Sequence, residues 1–222
     1  MEEGAQVCVA ARRGDLLEKL CAESGTGTPI VADVADADDC RRIVDEAVAA
    51  MGGIDLLVFT VGAGRLSYIA EPDPDDWRRA FSVNTLGPVL VTAAALPHLG
   101  TDALVAFTSS ESAGETRWGM SSYQASKAAL DSTIKSWRNE HPERRFMRVV
   151  MGATIGTDFG NQFDGDMLGV AFERWAASGI SMTVMEADHV GRHLAEVLGV
   201  ALSHPQVDLP DLVVDPRGQA WQ

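Results

Sequence analysis

The chain has 222 residues, of which 46% are apolar and 23% charged, and its formal charge is −14 at pH 7. This size and composition are typical of one soluble globular domain with a substantial core, so we expect a single domain over residues 1–222. The acidic excess offers no basic stripe for nucleic-acid phosphates or an anionic membrane surface, and we expect neither as a partner.

Short apolar runs alternate with longer amphipathic segments along the chain. We predict strands at residues 5–11, 29–34, 54–62, 103–110, 146–153 and 211–215, and helices near 14–23, 36–51, 74–98, 122–140 and 187–203. Runs that are apolar on both faces are typical of buried parallel strands. The strict alternation of strand and helix therefore predicts βαβ units in a doubly wound α/β domain.

Residues 155–186 interrupt this alternation. The segment is rich in glycine and contains Phe159, Phe163, Phe172 and Trp175. Excursions of this length in a compact domain are often lids or substrate loops. Two small packing helices are the equally favoured alternative.

The carboxyl ends of the predicted strands carry polar residues, glycine and arginine. In open α/β sheets, ligands bind beyond these ends. The residues concerned are Arg12, Arg13, Asp33, Gly62, Ser109 and Ser110. Asn84 lies in an otherwise apolar helix, where an amide is costly unless it is hydrogen-bonded. Tyr123 precedes Lys127 by one helical turn, which places the phenol and the ammonium on one helix face.

Together these residues resemble the short-chain dehydrogenase/reductase family over almost the whole chain. The family's Tyr-x-x-x-Lys occurs as YQASK, with Tyr123 and Lys127, and its serine thirteen residues upstream of the tyrosine falls on Ser110. Its helix asparagine matches Asn84 in FSVNTLG. The resemblance implies a Rossmann-like doubly wound parallel sheet and hydride transfer between an alcohol and a ketone or aldehyde.

The resemblance also implies a role for each of these four residues. Tyr123 would exchange the proton, Ser110 would hold the substrate oxygen, and Asn84 would hold a water in a proton relay. A free tyrosine, with a pKa of about 10, is a poor acid–base group at neutral pH. Lys127 would stabilise the tyrosinate and bind the ribose hydroxyls.

The implied cofactor is NADP, with NAD as the less favoured alternative. Arg12 and Arg13 would clamp the 2′-phosphate, because Ala11 stands where an acidic residue would select NAD. The alternative interpretation is that Arg12 and Arg13 are solvated charges at the start of a helix. The remaining cofactor contacts that the resemblance implies are Asp33, Val34, Gly62, Tyr123, Lys127, Gly152, Thr154 and Thr157.

The sequence departs from the family pattern in three places. FTVG at 59–62 replaces Asn-Asn-Ala-Gly, and Met151 replaces the usual proline before Gly152. The first predicted strand matches the family's second, and no glycine-rich turn follows a strand. We therefore expect a form without the first strand–turn–helix unit, which binds NADPH weakly and turns over little. A non-redox scaffold that acts as a binding or interaction module is the alternative.

In the family's order, the unit that this chain lacks would contribute a strand between those at 5–11 and 54–62. We expect these two strands to close directly on each other, because no spare strand-like run is visible. A segment from a partner chain that fills the place between them is the alternative.

Three further expectations concern location, assembly and substrate. The N-terminus has no basic-then-apolar signal, no apolar run approaches the ~18 residues of a membrane span, and three widely spaced cysteines predict reduced, buried thiols. We therefore expect a cytoplasmic protein.

The helices at 74–98 and 122–140 carry many small or apolar residues, which predicts a homodimer or homotetramer. An apolar carbonyl substrate is suggested by Trp118, Met120, Phe159, Phe163 and Trp175, although any of them could be core residues.

Overall fold

The structure, a computed structural model, describes residues 4–217. Its helices and strands follow the predicted alternation. They are β1 (Cys8–Ala11), α1 (Gly14–Ser24), β2 (Thr28–Val31), α2 (Ala37–Met51), β3 (Ile54–Phe59), α3 (Pro74–Phe81), α4 (Gly87–Ala95), β4 (Leu99–Ser110), α5 (Ser121–Glu140), β5 (Arg145–Met151), β6 (Thr154–Ile155), α6 (Gly165–Ala177), β7 (Met185–Glu186), α7 (Ala187–Ser203) and β8 (Asp211–Val214).

All predicted strands and helices are present, with ends that differ by a few residues. β2 and β3 end earlier than predicted, at Val31 and Phe59, so Asp33 and Gly62 lie in the loops that follow them. Residues 155–186 contain one regular helix, α6, and the short strand β7, which pairs with β6. Cys8, Cys21 and Cys40 are free thiols, as predicted, but only Cys40 is buried, so the expected burial is wrong for Cys8 and Cys21.

Every strand pairing is parallel, as predicted, but the strands form separate sheets. β1 pairs with β2, and β3, β4, β5 and β8 form a four-stranded sheet in that order. The expected closure of β1 on β3 is therefore wrong. The buried face of α2, which includes Ile43, Val44 and Ala47, packs against both strands. Closure would remove part of that packing, which explains why the strands stay apart.

Helices cover both faces of the four-stranded sheet. On one face, α2, α4 and α5 bury a large cluster that includes Val105 and Phe107 of β4. On the other face, α7 packs Leu194 and Leu198 against Ala106 of the same strand. This alternation of sides along β4 gives the three-layer arrangement that the apolar strands predicted.

The predicted helix at 74–98 is continuous but irregular. Asp73 caps it, Pro74 occupies its first turn, and a π-helical turn at Ser82–Leu86 separates α3 from α4. This stretch is also long and apolar enough to cross a membrane by length and composition alone, with a mean hydropathy of 1.4. The expectation that no run approaches that length is thus wrong. Here α3 and α4 pack against α5 and α2, as core helices do.

Candidate active site

Ser110 and Tyr123 meet where β4 ends and α5 begins. Ser110 is the last residue of β4, and its Oγ accepts a hydrogen bond from the Ser112 N–H at 3.2 Å. The two serine hydroxyls are also hydrogen-bonded, at 2.9 Å. Tyr123 lies in the first turn of α5, and its phenol lies close enough to Ser110 for that side chain to lower the pKa of the phenol. The chain therefore holds a serine hydroxyl and a phenol together at the carboxyl edge of the sheet.

Lys127 lies one turn further along α5 and is 2% exposed. Its Nζ donates to the Thr108 carbonyl at 2.8 Å and to the Val61 carbonyl at 3.1 Å, and it lies 5.9 Å from the centre of the Tyr123 ring. Burial lowers the pKa of Lys127 to about 8, although the nearby Asp131 acts in the opposite direction. The ammonium thus ties the ends of β3 and β4 together beneath the tyrosine.

The environment of Tyr123 favours the protonated phenol. Burial raises its pKa to about 12, and Glu111 acts in the same direction, whereas Ser110 and Arg117 lower it. The resemblance implies that Lys127 lowers this pKa. In the structure burial is the largest influence on the pKa of Tyr123, and the Lys127 ammonium is directed at two carbonyl oxygens.

Asn84 lies in the π-helical turn and is completely buried. Its Nδ2 donates to the Ala63 carbonyl at 2.7 Å and to the Ser126 hydroxyl at 2.8 Å, and its Oδ1 accepts from the Ala63 N–H at 2.8 Å. The expectation that this amide is hydrogen-bonded is confirmed. The amide fixes the loop after β3, next to Gly62, and π-helical turns of this kind often occur at functional sites.

Phe159 covers Tyr123. The two ring centres are 4.7 Å apart, and Phe159 also faces Gly62, where a Cβ would lie 3.7 Å from its ring. The five residues that suggested an apolar substrate all belong to one cluster that includes Tyr123: Trp118, Met120, Phe159, Phe163 and Trp175. The indole of Trp175 is fixed by a hydrogen bond to the Trp118 carbonyl at 3.0 Å. An apolar wall therefore adjoins the phenol.

Asp33 is engaged with its neighbours beyond the end of β2. Its carboxylate accepts from the Ala35 N–H at 3.0 Å and from the Arg79 guanidinium at 3.0 Å. Burial would raise its pKa, but the Ala35 N–H, Arg79 and Arg12 together lower it below the usual value. Val34 follows, and its carbonyl oxygen lies so close to Gly87 that any Cβ at Gly87 would clash with it. This contact holds α4 against the end of β2.

The two arginines that follow β1 have different partners. Arg12 lies near enough to Asp33 to influence its carboxylate. Arg13, immediately before α1, forms an ion pair with Asp158 at 2.5 Å. Asp158 precedes Phe159, so Arg13 contacts the same segment that covers Tyr123.

The predicted residues after β5 lie at the same edge of the sheet. The Gly152 N–H donates to the Val214 carbonyl at 2.9 Å, and a Cβ at Gly152 would lie 2.6 Å from the Asp215 carboxylate. The Thr154 hydroxyl donates to the Gly152 carbonyl at 3.0 Å, whereas Thr157 is exposed in the loop that follows β6. Gly152 and Thr154 thus form a tight turn, and Thr157 stands apart from it.

Sequence reasoning missed a buried ion pair beside the phenol. Arg117 and Glu111 are each about one-tenth exposed and are directly paired, and both influence the pKa of Tyr123. It also missed Arg79 and Asp158, the partners of Asp33 and Arg13. The only signal for Arg117 and Glu111 is their charge in the short interval between Ser110 and Tyr123.

The residues at this edge fit one end of a dinucleotide better than its middle. Lys127 lies buried beside Tyr123, and Arg12 and Arg13 stand at the N-terminus of α1, where anions are favoured. Within residues 4–217 no strand is followed by a glycine-rich turn into a helix that could bind a pyrophosphate. Cationic groups that could bind ribose and phosphate oxygens are thus present at this edge, while the described chain offers no pyrophosphate loop.

Comparison with known proteins gives a consistent picture. The family model described as short chain dehydrogenase matches residues 1–166. An uncharacterised oxidoreductase of Mycobacterium tuberculosis is 33% identical over 98% of this chain and 84% of its own length. The 11-beta-hydroxysteroid dehydrogenase 1A of Arabidopsis thaliana is 36% identical over 73% of this chain and 49% of its own length.

Two solved structures share the fold. An alcohol dehydrogenase of the archaeon Thermococcus sibiricus, complexed with 5-hydroxy-NADP, has a TM-score of 0.82 at 20% identity, over 99% of this chain and 89% of that one. A short-chain dehydrogenase/reductase mutant of Serratia marcescens has a TM-score of 0.80 at 22% identity, over 97% and 88% of the two chains.

Proposed function

The chain belongs to the short-chain dehydrogenase/reductase family and is an oxidoreductase, and on that premise we propose that it interconverts an alcohol and a ketone or aldehyde with NADP(H), using Tyr123 as the acid–base group. The observation that carries this proposal is the position of the Tyr123 phenol beside Ser110, with the buried ammonium of Lys127 5.9 Å from the centre of the phenol ring.

Each residue of the site has one task in this mechanism. When bound, NADP(H) supplies or accepts the hydride. In the direction of reduction, Ser110 donates a hydrogen bond to the carbonyl oxygen, and Tyr123 transfers its proton to that oxygen as the alcohol forms. Lys127 then stabilises the tyrosinate from below. Asn84 acts through the loop that it fixes, because its amide bonds are already made to Ala63 and Ser126.

The preference for NADP is supported by charge. Arg12, Arg13 and Arg79 all lie near Asp33 or the N-terminus of α1, and guanidinium groups bind phosphate oxygens in a bidentate manner. A structural relative is complexed with an NADP derivative. NAD has no 2′-phosphate for these groups, so we expect weaker binding of NADH than of NADPH.

The substrate that fits best is a bulky apolar alcohol or ketone. The apolar cluster beside Tyr123 would contact the substrate's carbon skeleton, while Ser110 and Tyr123 would hold its oxygen. A relative named for a hydroxysteroid fits this class.

We also propose that the protein is cytoplasmic and forms a homodimer or homotetramer through the helices α3 to α5. Leu86 and Phe81 are exposed on the α3–α4 face, at 50% and 37%. Leu86→Asp should lower the mass measured by light scattering at micromolar concentration. A monomer in the wild-type chain would overturn this proposal.

The central test measures ketone reduction by NADPH consumption. In a form with an intact cofactor site, Tyr123→Phe should lower turnover by at least ~1,000-fold while NADPH affinity, followed by its fluorescence, stays within ~2-fold of the parent form. Tyr68→Phe is the matched control, since Tyr68 is the other tyrosine and is half exposed. Full activity in Tyr123→Phe would contradict the assignment. We expect weak NADPH binding by the wild-type chain, and binding at micromolar or better would show a phosphate site that we have not identified.

A further inference from the structure

A buried ion pair joins the segment that follows Ser110 to the helix that carries Tyr123. Glu111 comes directly after Ser110 and begins a short 3-10 turn, which the Ser110 side chain caps. The Arg117 N–H donates to the Gln124 side chain at 3.0 Å, and Gln124 is the neighbour of Tyr123 on α5. The side chains of Glu111 and Arg117 are directly paired. The pair therefore bridges the two residues whose hydroxyl groups form the candidate site.

This ion pair is shielded from water. The side chains of Arg117 and Glu111 are 10% and 11% exposed, and the Nε of Arg117 is buried without a hydrogen-bond partner. The cost of removing two charges from water can exceed their mutual attraction, so a buried pair is weak evidence of a stabilising role. Buried charges are typical of functional sites, where they adjust the chemistry of a neighbouring group. The neighbouring group here is the phenol of Tyr123.

The Tyr123 phenol has a serine, a carboxylate and two cations around it. Burial is the largest influence on its pKa and raises it, Ser110 and Arg117 lower it, and Glu111 raises it. The Lys127 ammonium lies 5.9 Å from the ring centre, but it donates to two backbone carbonyls. The guanidinium of Arg117 is thus a second cation close enough to act on the phenol.

A second carboxylate also acts on Arg117. Asp215 follows β8 beside the turn at Gly152, and its Oδ1 is buried without a hydrogen-bond partner. Burial and Glu115 raise the pKa of Asp215, whereas Arg117 lowers it. The positive charge of Arg117 is therefore shared between two acids and the phenol. Neutralising one acid leaves more of that charge to act on the phenol.

We propose that Arg117 is a positioning residue for the proton exchange at Tyr123: its guanidinium stabilises the tyrosinate, and Glu111 limits this effect by pairing with it. The inference rests on the proposed function of Tyr123 as the acid–base group. A guanidinium stays charged at any pH at which proteins remain folded. Burial lowers the pKa of Lys127 to about 8. Arg117 therefore supplies a positive charge at alkaline pH, where Lys127 has lost its own.

The test follows the ionisation of Tyr123 by the near-ultraviolet absorbance of tyrosinate, without cofactor or ketone. The chain has two tyrosines, so Tyr68→Phe leaves Tyr123 as the sole phenol and is the parent for all variants. The tyrosinate fraction is measured at about pH 11, where Lys127 is uncharged and Tyr123 begins to ionise. Circular dichroism at the same pH checks that each variant is folded.

The two partners of the ion pair should act in opposite directions. Glu111→Gln should raise the tyrosinate fraction by at least ~3-fold, and Arg117→Gln should lower it by at least ~3-fold. Opposite signs identify an effect of charge, because a merely structural role predicts the same change when either partner is lost. Arg117→Lys keeps the charge and should stay within ~2-fold of the parent.

A double variant covers the case in which Arg117→Gln does not fold, since that change leaves Glu111 buried without the charge of Arg117. Glu111→Gln/Arg117→Gln should show a tyrosinate fraction at least ~3-fold below that of Glu111→Gln alone. Equal fractions in these two variants overturn the inference, and so does a change of the same sign in both single variants. Neither outcome bears on hydride transfer, which the activity of Tyr123→Phe tests separately.

Discussion

The two ends of the candidate site are built differently. At the catalytic end, Lys127 and Asn84 are buried, and their side chains form hydrogen bonds with backbone groups and one hydroxyl group. At the nucleotide end, Arg13 and Asp158 pair on the surface, with side chains 60% and 57% exposed. Buried networks hold one geometry, whereas exposed ion pairs contribute only about 0–1 kcal/mol and rearrange easily.

This difference shows where the site can adapt. The groups that exchange a proton are held in place before any ligand arrives, as preorganised catalysis requires. The groups that would bind the nucleotide phosphate must first leave their surface partners. Changes at the catalytic end should therefore have large effects on rate or stability, and changes at the nucleotide end small effects on affinity.

After Tyr123→Phe, Lys127→Ala should produce the largest effect. It removes the cation below Tyr123 together with the implied ribose contact, so ketone turnover should fall by at least ~100-fold and NADPH affinity by ~10-fold. Both are measured by NADPH absorbance and fluorescence. Lys135→Ala, on the exposed side of the same helix, is the control. Normal NADPH affinity in Lys127→Ala would remove the ribose role and leave only the catalytic one.

Asn84→Ala should mainly reduce stability. It leaves the buried N–H and C=O of Ala63 without their partner and opens a small cavity, so the free energy of unfolding should fall by about 2–4 kcal/mol. Urea unfolding followed by circular dichroism measures this loss. Asn139→Ala, at an exposed position on α5, should change it by less than about 0.5 kcal/mol. A loss in Asn84→Ala as small as in the control would mean that the loop after β3 is not held by this amide.

The burial of Lys127 also predicts a pH dependence of stability. Its pKa falls to about 8 from an ordinary 10.5, so between these values the unfolded chain binds more protons than the folded one. Lys127 should therefore contribute a rise in stability from about pH 8 to 10 of roughly 2 kcal/mol. Cys40 opposes this rise above about pH 9, because burial raises the pKa of its thiol from 9.0 to about 11. Tyr123 acts in the opposite direction only above its ordinary value of 10, because burial raises its pKa to about 12.

Lys127→Met tests this dependence in urea unfolding at several pH values. Methionine cannot titrate, so the rise in unfolding free energy between about pH 8 and 10 should be absent from this variant. Its absolute stability is not the measured quantity, since the bonds to Val61 and Thr108 are also lost. An unchanged slope would show that Lys127 keeps an ordinary pKa in the folded state.

The sequence predicts those features of the two ends of the site that depend on local patterns, and it misses those that depend on distant contacts. Strand and helix pattern depend on local apolar spacing, and Tyr123 and Lys127 share a face because one helix carries both. The pairing of Arg13 with Asp158 joins residues far apart in the chain, and no local pattern encodes it. The separation of β1 from β3 was also missed, because it depends on how α2 packs across both strands. Sequence periodicity does not report that packing.

Asp158→Asn should give the smallest effect, and it tests the nucleotide end directly. Arg13 must leave Asp158 before it can bind a 2′-phosphate, and an exposed ion pair of this kind costs at most about 1 kcal/mol to break. Removing the carboxylate should therefore raise NADPH affinity by about 2- to 5-fold, while NADH affinity, which needs no such exchange, stays unchanged. Fluorescence titrations with the two nucleotides measure both values. Asp166→Asn, an exposed change at the start of α6, is the control. If Asp158→Asn instead weakened NADPH binding, the ion pair would assist the nucleotide site by holding the segment that covers Tyr123. Asp158 and the 2′-phosphate would then not compete for Arg13.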